Sequence, residues 1–151
     1  MTAVDPHIEN LEAWVSLGVR RTVPREQLHE LFGPTYGTVA AAATRAGARV
    51  LGPAYAEYFG MPGETVDVEI GFGIDRPVDV DGMVTAEHPA VRAVVGTHVG
   101  PYDELEQSYA ELMPWLEMEG VELTDSMLEF YDSPPETDPA ATVTRLVFPL
   151  A

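Results

Sequence analysis

The chain has 151 residues, 46% of them apolar and 9% aromatic, enough for one domain with a buried core and too hydrophobic for a disordered chain. Its 25 acidic residues against 8 basic ones, all Arg, give a formal charge of −17; such a field repels phosphate backbones, argues against a direct DNA or RNA reader and favours neutral or cationic partners. Cysteine is absent, which excludes disulfides, thiolate nucleophiles and Cys-ligated metal sites.

Residues 1–10 are polar, carry Pro6 and read as a loose leader. The β-branched run Trp14–Val23 reads as a strand. Pro24 suits the first position of a helix, whose apolar stripe begins with Leu28, Leu31 and Phe32. Gly33-Pro34 is expected to kink that helix or divide it, and the alanine-rich stretch Thr35–Ala48 then stops near Gly47. Two strands follow, Pro53–Phe59 and Thr65–Ile74, across the turn Gly60-Met61-Pro62-Gly63.

The same grammar then recurs. A strand lies within Met83–Val99, interrupted near His88-Pro89 and strongest over Val91–Val99. Gly100-Pro101 turns the chain into a helix from about Tyr102 to Glu119, stopped by Gly120. Leu105, Tyr109, Leu112, Trp115 and Leu116 share one face of it, and Pro114 is expected to kink or weaken it. Strands at Ser126–Asp132 and Thr142–Phe148 flank the Pro-rich loop Ser133–Ala141. The order strand–helix–strand–strand thus appears twice, in halves of about residues 11–76 and 77–151. Glu57-Tyr58-Phe59 matches Glu129-Phe130-Tyr131, Pro62 matches Pro134 and Glu64-Thr65 matches Glu136-Thr137 at one offset, with Gly18 and Gly96 at a slightly larger one. The expected fold is α+β: a duplicated βαββ with a curved antiparallel sheet and both helices on one face. The other face, or the groove between the halves, is left for side chains or a ligand.

Many of the five Phe, two Trp and six Tyr fall on segments that would border such a groove: Tyr55, Tyr58 and Phe59, then Tyr102, Tyr109, Trp115, Phe130 and Tyr131. Aromatic walls suit flat lipophilic ligands and attract cations. Glu129, in the apolar strand Met127-Leu128-Glu129-Phe130-Tyr131, shares a strand face with Met127 and Tyr131. It is either a solvent-facing acid or a buried one; burial raises a carboxyl pKa and makes it a proton acceptor or the anchor of a cation. Glu57 is its mirror in the first half, with Tyr58 the groove residue if the alignment slips by one. Tyr109 and Trp115 fit plain core packing equally well, and His98 reads as structural. His7, His29 and His88 lack metal spacing, and no Gly-x-Ser-x-Gly elbow or phosphate-binding glycine loop occurs. No cofactor is implied. Without a basic-then-apolar leader or a run of ~20 apolar residues, the expected location is the cytoplasm, with no membrane contact.

Several of these motifs resemble one family. Gly52-Pro53-Ala54-Tyr55-Ala56-Glu57-Tyr58 is similar to the G-P-x-x-A-x-Y strand of the GyrI-like small-molecule-binding family. His98-Val99-Gly100-Pro101-Tyr102-Asp103-Glu104-Leu105 looks like its H-x-G-P-Y-x-x-L junction. Tyr109, Leu112 and Trp115 fall on its Y-x-x-L-x-x-W helix, Glu129-Phe130-Tyr131 on its E-x-Y strand, and Thr144–Leu150 on its closing strand. The resemblance spans roughly residues 12–151. It implies a ligand cleft between duplicated halves, as in the effector-binding part of AraC-type and MerR-type multidrug-responsive regulators and in free-standing members. It also implies that Glu129 meets lipophilic cations. Some members hydrolyse cyclopropane-containing genotoxins with a Glu and a Tyr, which would make Glu129 and Tyr131 catalytic here, with Tyr55 and Tyr102 as further candidates. Arg145 departs from the family's usual Glu, and Asp132-Ser133-Pro134 from its usual N-D-P turn. No helix-turn-helix is encoded, so a regulator acting alone is not expected.

Three functional readings stay open. One is a small-molecule-binding domain for lipophilic, often cationic compounds, serving sensing, sequestration or detoxification, with Tyr55, Glu57, Tyr58, Phe59, Tyr102, Trp115 and Glu129 as ligand contacts. Another is a hydrolase of strained rings using Glu129 as general base. The last is an acidic inhibitor that binds a protein partner; a homodimer is also open.

Overall fold

The computed structural model describes residues 4–60, 63–133 and 136–151; the Met61-Pro62 turn and the Pro62–Pro134 match lie outside them. The described residues form strands β1 (His7–Leu11), β2 (Trp14–Pro24), β3 (Val50–Phe59), β4 (Thr65–Ile74), β5 (Val84–His88), β6 (Val91–Val99), β7 (Ser126–Tyr131) and β8 (Val143–Pro149). Helices α1 (Leu28–Arg45) and α2 (Leu105–Glu119) each follow a three-residue 3-10 turn. The fold is α+β, with the βαββ order repeated.

Two compact units result, one of Glu12–Ala90 and one of the N-terminal segment to Leu11 together with Val91–Ala151. Within the first, the strands lie in the order β3-β4-β2-β5, every neighbouring pair antiparallel. Val15, Leu17 and Val19 on β2 and Phe72 and Ile74 on β4 face one way and pack with Val39 and Ala43 of α1. Thr35, Val39 and Ala43 are the buried row of that helix, four residues apart as a single helical stripe requires. The helix runs unbroken through Pro34. Pro34 removes one donor from the ladder, and the residue whose carbonyl loses it, Glu30, is exposed, so the loss falls on the solvent side of the helix, where it costs least.

Within the second unit the order is β7-β8-β6-β1, again antiparallel throughout. Leu112 and Leu116 of α2 pack on Val94, Leu146 and Phe148, with Leu105, Tyr109 and Trp115 partly buried around them. Gly120, at φ 63°, ends α2 in the left-handed conformation, where a glycine carries no steric penalty. The expectation of a loose leader over residues 1–10 is overturned for the described residues 4–10, residues 1–3 lying outside the described ones. His7–Leu11 pairs with Val91–Val95 of β6, Val4 is fully buried in the core, and its carbonyl accepts from the Thr97 amide at 2.8 Å. The otherwise unpaired edge of β6 and the apolar gap over Gly96, where a Cβ would meet Val4 at 2.5 Å, supply the driving force that local polarity concealed.

Candidate functional site

In the second unit, β7 carries Met127, Glu129 and Tyr131 on the side that packs under α2. Glu129 pairs with Leu146, a residue of the α2 core, and Tyr131 pairs with Thr144; antiparallel partners share a face. Glu129 is only 6% exposed. Both of its oxygens accept tyrosine hydroxyls: Tyr131 donates to Oε1 at 2.6 Å, and Tyr109 reaches down from α2 to Oε2 in a very short bond. Burial pushes the carboxyl pKa up, while the two hydroxyls and the nearby His98 oppose the rise. Tyr102, about half exposed, stands edge-on to Tyr131 with centroids 5.7 Å apart. Burial and the Glu129 charge raise its own pKa.

His98 and Ser108 complete the floor. His98 Nε2 lies 2.9 Å from the Pro101 carbonyl, which can only accept, so that nitrogen carries the proton. In the neutral ring Nδ1 then accepts from the Ser108 hydroxyl at 2.6 Å. This pair fastens the start of α2 to the end of β6. Trp115 packs against the apolar cluster of the same unit. The site therefore brings together Glu129, Tyr131 and Tyr102 with Tyr109, which the sequence left between groove and core, with His98, which read as structural, and with Ser108, which sequence reasoning did not single out. Chemically it offers a desolvated carboxyl with two phenolic donors, able to accept a proton or to face a cation.

Glu57 does not mirror Glu129. It pairs with Glu69 on β4, and Ala56 and Tyr58 pair with Ile70 and Val68, so Tyr55, Glu57 and Phe59 lie on the strand face away from α1, with Tyr58 on the helix side. The short sequence matches are one residue out of structural register, and with period two that reverses the face. On the face away from α1, a second buried carboxyl appears that sequence reasoning missed. Glu69 is 4% exposed and accepts the hydroxyl of fully buried Tyr55 in another very short bond. Burial raises the Glu69 pKa against the pull of Tyr55 and Arg20, and burial, followed by the Glu69 charge, pushes the Tyr55 phenol far up. Trp14 stacks on His88 at 4.0 Å and meets Tyr55 edge-on at 5.2 Å, while His88 Nε2 lies 2.9 Å from Ser16 Oγ. Phe59 carries the Arg20 guanidinium 3.8 Å above its ring, and Arg20 forks onto Asp67 at 2.9 and 3.0 Å. The alternation Val66-Asp67-Val68-Glu69-Ile70 marks Asp67 and Glu69 as one face, but nothing in it says that only Glu69 is buried.

A family model described as a GyrI-like small molecule binding domain matches residues 5–151. Among solved structures, the EcmrR C-terminal domain is similar over 98% of both chains, with 25% identity and a TM-score of 0.82. EcmrR in a DNA complex is similar with 25% identity and a TM-score of 0.81, over 99% of this chain and 58% of that one. SAV2435 bound to tetraphenylphosphonium shares the fold, with 11% identity, a TM-score of 0.67 and coverage of 97% and 94%. No curated protein matches the sequence.

Proposed function

The chain belongs to the GyrI-like small-molecule-binding domain family, and we propose that it binds lipophilic organic cations at Glu129, as the recognition step of sensing, sequestration or detoxification. The observation that carries this reading is the pair of tyrosine hydroxyls on a carboxyl that is 6% exposed. A buried carboxyl is costly, and a desolvated cation recovers that cost with a strong, weakly screened attraction. Tyr131 and Tyr102 add aromatic faces for the ligand's apolar groups and a cation–π contribution. Because Glu129 is covered, the ligand enters by displacing hydroxyls and rings above it, with half-exposed Tyr102 the outermost. The charge of −17 concentrates cations near the chain and speeds their arrival. The tetraphenylphosphonium held by SAV2435 is a suitable probe.

The test is calorimetric titration of the wild-type chain and Glu129→Gln with tetraphenylphosphonium, with thermal unfolding to establish that both are folded. Wild type is expected to bind saturably and Glu129→Gln at least about tenfold more weakly. Equal affinity in a folded Glu129→Gln overturns the reading.

A further inference from the structure

Thr144 sits in the row that crosses the strands of the second unit beside Glu129. It pairs with His98 on β6 and with Tyr131 on β7, so its side chain shares their face beneath α2. It is fully buried, and its Oγ1 has no hydrogen-bond partner among the described residues. The polar groups flanking it are engaged elsewhere: Tyr131 with Glu129 at 2.6 Å, and the two His98 nitrogens with Ser108 and the Pro101 carbonyl at 2.6 and 2.9 Å. A buried hydroxyl without a partner destabilises a fold, and valine fills the same volume without that penalty. β8 already uses Val143 and Val147 nearby.

We infer that the Thr144 hydroxyl is a specificity group of the Glu129 site, there to hydrogen-bond a hydroxyl or other polar group carried by the bound cation. The inference rests on the cation-binding reading and deepens it. Glu129 and Thr144 are diagonal neighbours on adjacent strands, a spacing of roughly 7 Å between backbones that a single ligand bridges. Glu129 meets the positive centre, and Thr144 meets a donor or acceptor a few bonds away. The site thereby favours cations that bear a polar arm over those whose substituents are wholly hydrocarbon.

Two phosphonium ions isolate this contribution: ethyltriphenylphosphonium and (2-hydroxyethyl)triphenylphosphonium, which differ chiefly by one hydroxyl. Calorimetric titration of the wild-type chain is expected to give about five- to tenfold tighter binding of the hydroxyethyl ion. Thr144→Val is expected to abolish that preference, and Thr144→Ser to retain it. Absence of a preference in wild type overturns the inference without recourse to any variant. A preference that persists in Thr144→Val overturns it as well. If neither ion binds wild type, the cation-binding reading itself falls and takes this inference with it.

Discussion

Tyr131 and Glu129 stand two residues apart on β7, and the tyrosine hydroxyl donates to Glu129 Oε1 at 2.6 Å. Strand geometry alone turns both side chains to one face. The other carboxyl oxygen is served by Tyr109 from α2, a residue twenty positions earlier that only packing brings there. One partner is therefore local and the other is tertiary.

Removing either hydroxyl leaves a buried acceptor short of a donor. Tyr109→Phe and Tyr131→Phe are each expected to lower unfolding free energy by about 1–3 kcal/mol at pH 7. The loss is expected to shrink in acid, where a protonated carboxyl needs fewer donors. Urea unfolding at pH 7 and pH 4 measures both; a Tyr109→Phe chain as stable as wild type would show that the bond contributes nothing.

Burial holds the Glu129 pKa above its ordinary value. A carboxyl raised on folding binds its proton more tightly in the native state, so its contribution is most favourable below the ordinary carboxyl range. That contribution declines as pH rises through the raised native pKa. Glu129→Gln removes the ionisation, so its stability relative to wild type is expected to increase from pH 4 to pH 7. Unfolding midpoints of the two proteins at several pH values give the difference directly. A difference that does not change with pH would contradict a raised pKa.

Gly71 faces Gly18 across β4 and β2, and a Cβ on Gly71 would lie 1.9 Å from the Leu17 carbonyl oxygen. Backbone cannot give way as a flexible side chain can, so Gly71→Ala is expected to cost more than about 3 kcal/mol or to prevent folding. A Cβ on Gly37, in the middle of α1, would meet nothing within 4 Å. Gly37→Ala is expected to stabilise the chain by about 0.5–1 kcal/mol. Thermal unfolding of the two variants should shift in opposite directions.

Leu112 is fully buried among Val94, Leu116, Leu146 and Phe148. Leu112→Ala is expected to destabilise by about 2–5 kcal/mol through lost burial and the cavity left behind. Denaturant unfolding tests this; a loss below about 1 kcal/mol would mean that α2 is not anchored by this leucine.

The order of both helices and of β2, β3, β4, β6, β7 and β8, the twofold βαββ pattern, the apolar stripe of α2 and the shared face of Glu129 and Tyr131 were legible in the chain, whereas β1 read as a loose leader and β5 as the first part of one strand with β6. Each legible feature follows from a period of two or 3.6 residues or from a glycine or proline at a turn, all of them properties of neighbours in the chain. Folding was needed to make His7–Leu11 an edge strand, to set Glu57 and Glu129 on opposite faces relative to their helices, and to bury Glu69 but not Asp67. Packing alone brought Tyr109 to Glu129 and Ser108 to His98, and left the Thr144 hydroxyl without a partner among the described residues. These outcomes depend on strand register and on which groups are removed from water. Both are settled between segments far apart in sequence, where a one-residue shift reverses every face and leaves the local pattern unchanged.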